Sequence, residues 1–301
     1  MSKGIELWRA PAPRAILRTA HRGYVAMSTA LLLPLYSTGP GIKLADRFGL
    51  RRRAFERAYG SGAWTRTGES LSGTGSGLEA TEQVRAALPG AIRDLAVRVL
   101  LDVPCGDWNW MRHVDLPVDR YIGGDLLPSI VERNRARFGS ERHQFREIDL
   151  CTDRLPDADL LLCRDALIHF ANADIWRAIN NVARSKITFL ATTTFPATPR
   201  NKDLISGIRW RHLNLQAAPF NFPPPLTSLP DGFNRPDKVL SIWRVSDLGS
   251  RGETVDRTDR LARFNDANAE FAEVCEFGGA DDVSSYARRP QLLPPVERRA
   301  H

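Results

Sequence analysis

The 301 residues, 43% of them hydrophobic, can supply one sizeable core with appendages or two small domains. No apolar run reaches the ~18 residues of a membrane span; the nearest, Tyr24 to Tyr36, is broken by Pro34, starts late for a secretory signal and has no clean small-x-small cleavage site after it. The net charge of +7 belongs to residues 1–53, where ten Lys/Arg face only Glu6 and Asp46; the body that follows is close to neutral, which argues against a general nucleic-acid-binding surface.

Residues 1–53 read as a basic, partly helical arm. A helix would stack Arg14, Arg18 and Arg22 on one face. Such a face either lies on an anionic membrane through residues 1–36 or is the solvated side of a helix packed on the body. Four cysteines, none in a Cys-x-x-Cys pair, give no zinc site and fit reduced thiols in a cytoplasmic protein.

Trp64 and the run Glu69 to Gly77 come next, linker-like in composition. A helix is expected over Leu78–Leu88, capped by Thr74 or Ser76 and punctuated by Pro89-Gly90. Val99 to Asp102 is a short buried strand, and Pro104-Cys105-Gly106 a tight turn. Asp107 is placed to cap a following helix. Strand, glycine turn and helix together offer backbone N–H groups to the negative part of a ligand. The turn lacks the Gly-x-Gly-x-x-Gly of dinucleotide folds, which weighs against a nicotinamide-dependent oxidoreductase.

Tyr121–Asp125 is the second strand. Asp125 stands 23 residues after Asp102, the spacing at which an acid meets ribose hydroxyls, and it can equally cap a helix over Leu126–Phe138. Phe145–Asp149 is the third strand. Asp159–Cys163 is a buried fourth, and Arg164 and Asp165 lie at its carboxyl end, where ligands sit in open α/β sheets. A helix after it would place Asp165 and His169 on one face, with His169 a candidate general base. Helix over Ile175–Ala183, strand over Lys186–Thr194, a polar and aromatic insertion over 201–220, a stiff proline connector and a last strand over Lys238–Val245 complete the body. Asp259–Phe277 could be one helix, and Arg288–His301 is rich in Pro and Arg, as disordered tails are.

Asp102-x-Pro104-Cys105-Gly106-Asp107-Trp108-Asn109-Trp110-Met111 resembles motif I of the class I S-adenosylmethionine-dependent methyltransferases. It is most similar to a bacterial subgroup with Asp-x-Pro-Cys-Gly-Asp-aromatic-Asn-Trp-Met. Pro104 and Trp108 depart from the first and third glycines of the general motif. The resemblance also covers the Trp64 to Ser76 run, the Arg164-Asp165-x-Leu167-x-His169 string and the pattern from Asn201 to Phe220. It spans residues 54–245 and neither end.

The resemblance implies an α/β fold, a Rossmann-like seven-stranded mostly parallel sheet with helices on both faces, and S-adenosyl-L-methionine as cofactor. It assigns the cofactor to Asp102, Pro104, Cys105, Gly106, Asp107, Asp125, Asp149 and Asp165, under a lid holding Trp64 and Ser72. Asp125 would take the ribose and Asp149 would lie near the adenine amine. Catalysis is expected from His169, Asp165 and Arg164. A small-molecule or glycan-like acceptor is expected on Asn201, Trp210, Arg211 and Asn214, with no metal. Arg164 and Arg211 could bind an anionic group on the acceptor or pair with Asp149 or Asp165. The rival of another class is a scaffold that keeps the fold without catalysis.

Overall fold

Five short segments buried almost without a break form a sheet with both faces covered. The computed structural model describes residues 38–248 apart from 63, 65–67, 208 and 233–234. Its strands are β1 (Val99–Asp102), β2 (Arg120–Asp125), β3 (His143–Glu147), β4 (Leu160–Cys163), β5 (Phe189–Thr194), β6 (Thr227–Pro230) and β7 (Val239–Arg244). They form one sheet of order β3-β2-β1-β4-β5-β7-β6. β1 to β5 are mutually parallel, and β7 pairs antiparallel with both β5 and β6. This is the expected Rossmann-like, mostly parallel seven-stranded sheet.

Strand residues divide between two cores with period two. Leu101, Ile122, Leu161, Cys163, Leu190 and Trp243 face one core with Ile175, Ala178, Ile179 and Val182 of α5 (Asn172–Ala183). Leu100, Tyr121, Leu160, Leu162, Ala191, Leu240 and Ile242 face the other with Val84, Leu88, Ala91 and Ile92 of α3 (Glu82–Asp94) and Val131 of α4 (Pro128–Phe138). Helices therefore cover both faces. Each fully buried Leu or Ile contributes about 1.5–3 kcal/mol of transfer free energy, so the two cores dominate stability.

Several local expectations change. No helix follows the Gly106 turn; a single 3₁₀ turn, Met111–His113, takes its place. Trp108 adopts a left-handed backbone (φ 57°) and turns its ring into a cluster with Tyr121, Phe138, His143 and Phe145. The helix expected over Leu78–Leu88 is α3, which runs through Pro89 because buried apolar residues lie on both sides of it. The lost backbone bond costs less than that burial gains. Neither Thr74 nor Ser76 caps it, since they lie in a separate 3₁₀ turn. β3 ends at Glu147, so Asp149 stands beyond the strand. β6 lies in the connector, where the proline run masked any strand pattern.

Residues 39–60, assigned in part to the arm, form α1 (Gly39–Arg47) and α2 (Leu50–Gly60), joined to the body through Arg51. The buried Arg51 Nη1 donates to Asp174 Oδ1 of α5 at 2.9 Å, and Nη2 to Asp149 Oδ2 at 2.5 Å. Arg177 links Asp174 to Asp46 of α1. The remaining arm with Arg14, Arg18 and Arg22, and everything from residue 249, lie outside the described residues.

A second buried set ties β4 to β6 and β7. Arg164 donates Nε and Nη2 to Asp231 at 3.0 and 2.8 Å, and Lys238 Nζ reaches Asp231 at 3.1 Å. Asp231 thus offsets two buried cations. Asp231→Ala leaves both without it, and urea unfolding should show a loss of about 3–5 kcal/mol. A loss below about 1 kcal/mol would mean that the set is not a folding constraint.

Candidate functional site

The chain winds one way from β1 to β2 and β3, and the other way to β4 and β5, so a crevice opens at the carboxyl ends of β1 and β4. A cleft of about 920 Å³, its open mouth included, occupies that position. Asp102 to Gly106 follow β1 into it, Asp125 to Leu127 follow β2, Ile148 to Leu150 follow β3, and Arg164 to Ala166 and His169 follow β4. Arg51, Phe55 and Tyr59 of α2, with Trp64, Ser72 and Ser76, close the remaining side.

The Gly106 turn differs from a phosphate-binding loop in where its amides go. Cys105 N–H donates to Gly124 O at 2.8 Å, and Gly106 N–H to Asp125 Oδ2 at 3.1 Å. Asp107 N–H donates to Ser72 Oγ at 2.9 Å, and Trp108 N–H to Cys105 O at 3.3 Å. All four are engaged, and no helix N-terminus stands behind them. The expected approach to a negative group is therefore corrected: the turn presents no free amide to a diphosphate. Gly106 itself is required, because φ is +54° and a Cβ would stand 2.4 Å from Ser72 Oγ.

Asp107 does not cap a helix. Its carboxylate accepts from Ser70 Oγ at 2.9 Å, Leu71 N–H at 2.7 Å and Ser72 Oγ at 3.1 Å. It binds the Glu69–Gly77 run onto the turn. Glu69 adds bonds from Leu78 N–H and Asn109. The run is a bonded wall of the cleft and not a free linker.

The cleft holds acids of two kinds. Asp149 and Asp165 are ion-paired. Asp149 accepts from Arg51 and from Cys151 N–H. Burial favours a neutral Asp165, yet Arg164 at 3.2 Å and Lys238 Nζ at 2.7 Å hold its carboxyl well below the usual range. Asp165 is also left-handed (φ 52°), a conformation that costs a non-glycine residue about 1–2 kcal/mol and marks strain at sites.

Asp102 and Asp125 have no salt-bridge partner among the described residues. Burial, aided by the Asp125 charge, pushes Asp102 to about 7 against the 2.6 Å bond from Tyr121 Oη. Burial pushes Asp125 to about 6, opposed by N–H groups of Leu127 and Gly106. The cleft thus contains two acids whose ionised forms the protein itself under-stabilises.

His169 lies in a 3₁₀ turn, Leu167–His169, not a helix, so the helical face shared with Asp165 does not exist. Both side chains still line the cleft. His169 Nδ1 is 2.9 Å from the carbonyl of Arg209, an acceptor only, so Nδ1 carries the hydrogen and Nε2 has a free lone pair. Burial lowers the His169 pKa and keeps the ring neutral. Trp64 packs against it at 5.4 Å.

The four residues expected to hold the acceptor are not in the cleft lining. Asn201 is bonded to the backbone of Asn214 and Ala218, and Asn214 to Pro196 and Thr198, stapling the insertion. Arg211 donates to Phe170 O and Asn172 Oδ1, and pairs with neither Asp149 nor Asp165. Trp210 is 41% exposed under the Arg235 guanidinium. Arg164 is engaged by Asp231, Asp165 and the carbonyl of Gly75, which removes it from the candidates for direct chemistry.

Sequence reasoning missed Arg51, Phe55 and Tyr59, which the charge boundary placed in or beside the arm. It also missed Lys238 and Asp231, whose only signal is a charge at the edge of an apolar strand and a turn residue in a connector. Among the described residues no group of three His, Cys, Asp or Glu could hold a metal ion. Cys105, Cys151 and Cys163 are buried free thiols.

No protein-family model matches the sequence, and no curated protein matches it. Solved structures do. The mitomycin 7-O-methyltransferase MmcR is 18% identical over 55% of this chain and 54% of that chain, with a TM-score of 0.43. Human N-acetylserotonin methyltransferase, in complex with S-adenosylmethionine, is 17% identical over 39% and 35%, with a TM-score of 0.34. An amino pentose methyltransferase of calicheamicin biosynthesis from Micromonospora echinaspora is 20% identical over 36% and 48%, with a TM-score of 0.32. The chain spans between a third and just over half of these proteins' own length.

The two unpaired acids carry a pH signature. A carboxyl raised from 3.8 to about 6 or 7 on folding contributes stability below its unfolded pKa and loses it as pH rises through the folded value. Asp102→Asn and Asp125→Asn should each raise the melting temperature, relative to the parent protein, more at about pH 8 than at about pH 5. Equal differences at both pH values would contradict the assignment.

Proposed function

We propose that this chain is an S-adenosyl-L-methionine-dependent methyltransferase acting on a small-molecule acceptor, glycan-like acceptors included. One observation carries the reading. The cleft at the switch point presents two unpaired buried carboxylates and no free turn amide. That set of acceptors suits a nucleoside with hydroxyls and a positive charge, and not one with a diphosphate. The residues present therefore fit this cofactor better than a nicotinamide dinucleotide.

When bound, the cofactor supplies a methyl group on a sulfonium sulfur that is already a good leaving group. Asp125, at the end of β2, is assigned the ribose hydroxyls, whose donated hydrogen bonds would stabilise its ionised form. Asp102 adds negative charge toward the sulfonium. Asp149, with Ile148 and Leu150, is assigned the base, its carboxylate oriented by Arg51. Pro104, Cys105 and Gly106 form the floor. Asp107 holds Ser72 and the lid-like run in place.

His169 is assigned as the base. Its Nε2 lone pair can take the proton from an acceptor oxygen or nitrogen, and its neutral ring makes that lone pair available near neutral pH. Asp165, held ionised, would stabilise the imidazolium that results. Phe55, Tyr59, Trp64, Trp110 and Phe170 line the same cleft and give flat apolar contact for a ring or a sugar face. Arg164 acts as a positioning residue that holds Asp165. The buried free thiols fit a cytoplasmic setting.

Calorimetric titration with S-adenosylhomocysteine should give micromolar binding, with none for NAD under the same conditions. Asp125→Ala should weaken that binding by about 10–100-fold, the range for hydrogen bonds to a charged group. His169→Ala should leave it within about threefold and slow methyl transfer by about 10²–10⁴. Folded protein that binds neither nucleotide would overturn the assignment, and binding of NAD alone would replace it with the oxidoreductase reading.

A further inference from the structure

Four large apolar residues of the described chain are notably exposed, and two of them flank a single glycine. Phe48 is 52% exposed and Leu50 41%. Gly49 between them has φ +58°, which ends α1 and starts α2 with both side chains at the outer corner. Each is already about half buried, so covering the rest would contribute part of the about 1.5–3 kcal/mol of full burial.

The exposed charge around the corner is mainly basic, with Asp46 and Glu56 the nearby acids. Arg47, in the last turn of α1, and Arg53 and Arg57 of α2 are exposed. Leu50 and Arg53 are three apart on α2, and Arg57 follows four later, so they share one face. Arg47 and Arg53 have no salt-bridge partner among the described residues. Arg52, in contrast, pairs with Glu147, and Asp46 is taken by Arg177. Glu147 and Asp46 are thus taken by Arg52 and Arg177, and against the one other nearby acid, exposed Glu56, stand Arg47, Arg53 and Arg57, which leaves the corner net positive. The sequence leading into α1 continues the character, with Arg14, Arg18 and Arg22 and the apolar run Tyr24 to Tyr36.

We propose that the corner from Arg47 to Arg53 docks the protein on an anionic lipid surface, with Phe48 and Leu50 entering the headgroup boundary and Arg47 and Arg53 meeting lipid phosphates. An apolar pair ringed by unpaired cations complements such a surface in both polarity and charge. The geometry also links the surface to the cleft. α2, whose first turn carries Leu50, supplies Arg51, Phe55 and Tyr59 to the cleft wall. Its 11 residues make a rod of about 16 Å, so a docked corner holds the cleft close to the lipid. The proposal stands apart from the cofactor assignment, since it concerns a surface that binds no nucleotide.

The test is co-sedimentation of the full chain with phosphatidylcholine vesicles, with and without phosphatidylglycerol. The full chain should sediment with the phosphatidylglycerol vesicles alone, and less so as salt is raised. Phe48→Ser with Leu50→Ser should lower the partition coefficient at least about tenfold. Arg47→Gln with Arg53→Gln should lower it and reduce its salt dependence. Both pairs are exposed, and an unchanged melting temperature confirms that each variant is folded. Three results overturn the proposal, the last of them dimerisation through the corner. One is a parent protein that ignores anionic vesicles. Another is a pair of variants that bind as the parent does, which places any membrane contact in residues 1–37. A corner that instead drives concentration-dependent dimerisation, lost in Phe48→Ser with Leu50→Ser, would assign the surface to a second copy.

Discussion

The backbone amides of the turn from Cys105 to Trp108 are all satisfied by groups of the protein itself, and the character of the cleft follows from that. In a phosphate-binding loop the same amides stay free and a helix dipole stands behind them. Here Gly124, Asp125, Ser72 and Cys105 take them, and no helix follows. What remains facing the ligand is negative. Asp125 serves both sides of the arrangement, accepting from Gly106 while lining the cleft. The Ser72 contact needs a glycine at position 106, and the Asp107 contacts hold Ser72 there.

Two buried ion sets brace this site from opposite flanks. Arg51 with Asp149 and Asp174 fastens α2 to the loop after β3 and to α5. Arg164 and Lys238 with Asp231 and Asp165 fasten the end of β4 to the β6–β7 edge. With Arg177 on Asp174 counted in the first set, two cations meet two of these carboxylates in each, so their charges position groups more than they attract ligand. Asp125 stands outside both sets, and Asp102 feels the charge of Arg164 without a salt bridge to it. Their raised carboxyls mark the part of the cleft where a bound group gains most by bringing positive charge or hydrogen-bond donors.

The centre of the sheet was legible because β1, β2, β4, β5 and β7 are buried on both faces and read as short apolar runs, the first two of them ending in acids. Asp102, Asp125 and the 23-residue spacing between them mark the crevice in the sequence itself. The helices at the site were not legible. Asp107 looks like a cap, and only the fold shows that Ser70, Leu71 and Ser72, more than thirty residues earlier, claim its oxygens. His169 and Asp165 share the cleft through a strained turn and a 3₁₀ turn, although helical spacing was the reason for pairing them. Arg51 was hidden by its neighbours Arg52 and Arg53, since charge counting cannot tell a buried guanidinium from exposed ones. Asn201, Arg211 and Asn214 form a motif because they staple the insertion, whose backbone supplies the Arg209 carbonyl to His169.

The central claim is that unpaired acids give this cleft its preference for a cationic nucleoside. The most direct measurement is the ratio of the affinities for S-adenosylmethionine and its neutral thioether product, followed by calorimetry across pH. As Asp125 and Asp102 ionise, at about 6 and about 7, the sulfonium gains partners that the thioether cannot use. The ratio should rise in favour of S-adenosylmethionine through that interval. A ratio that stays flat would contradict the account and leave the two carboxylates as structural groups.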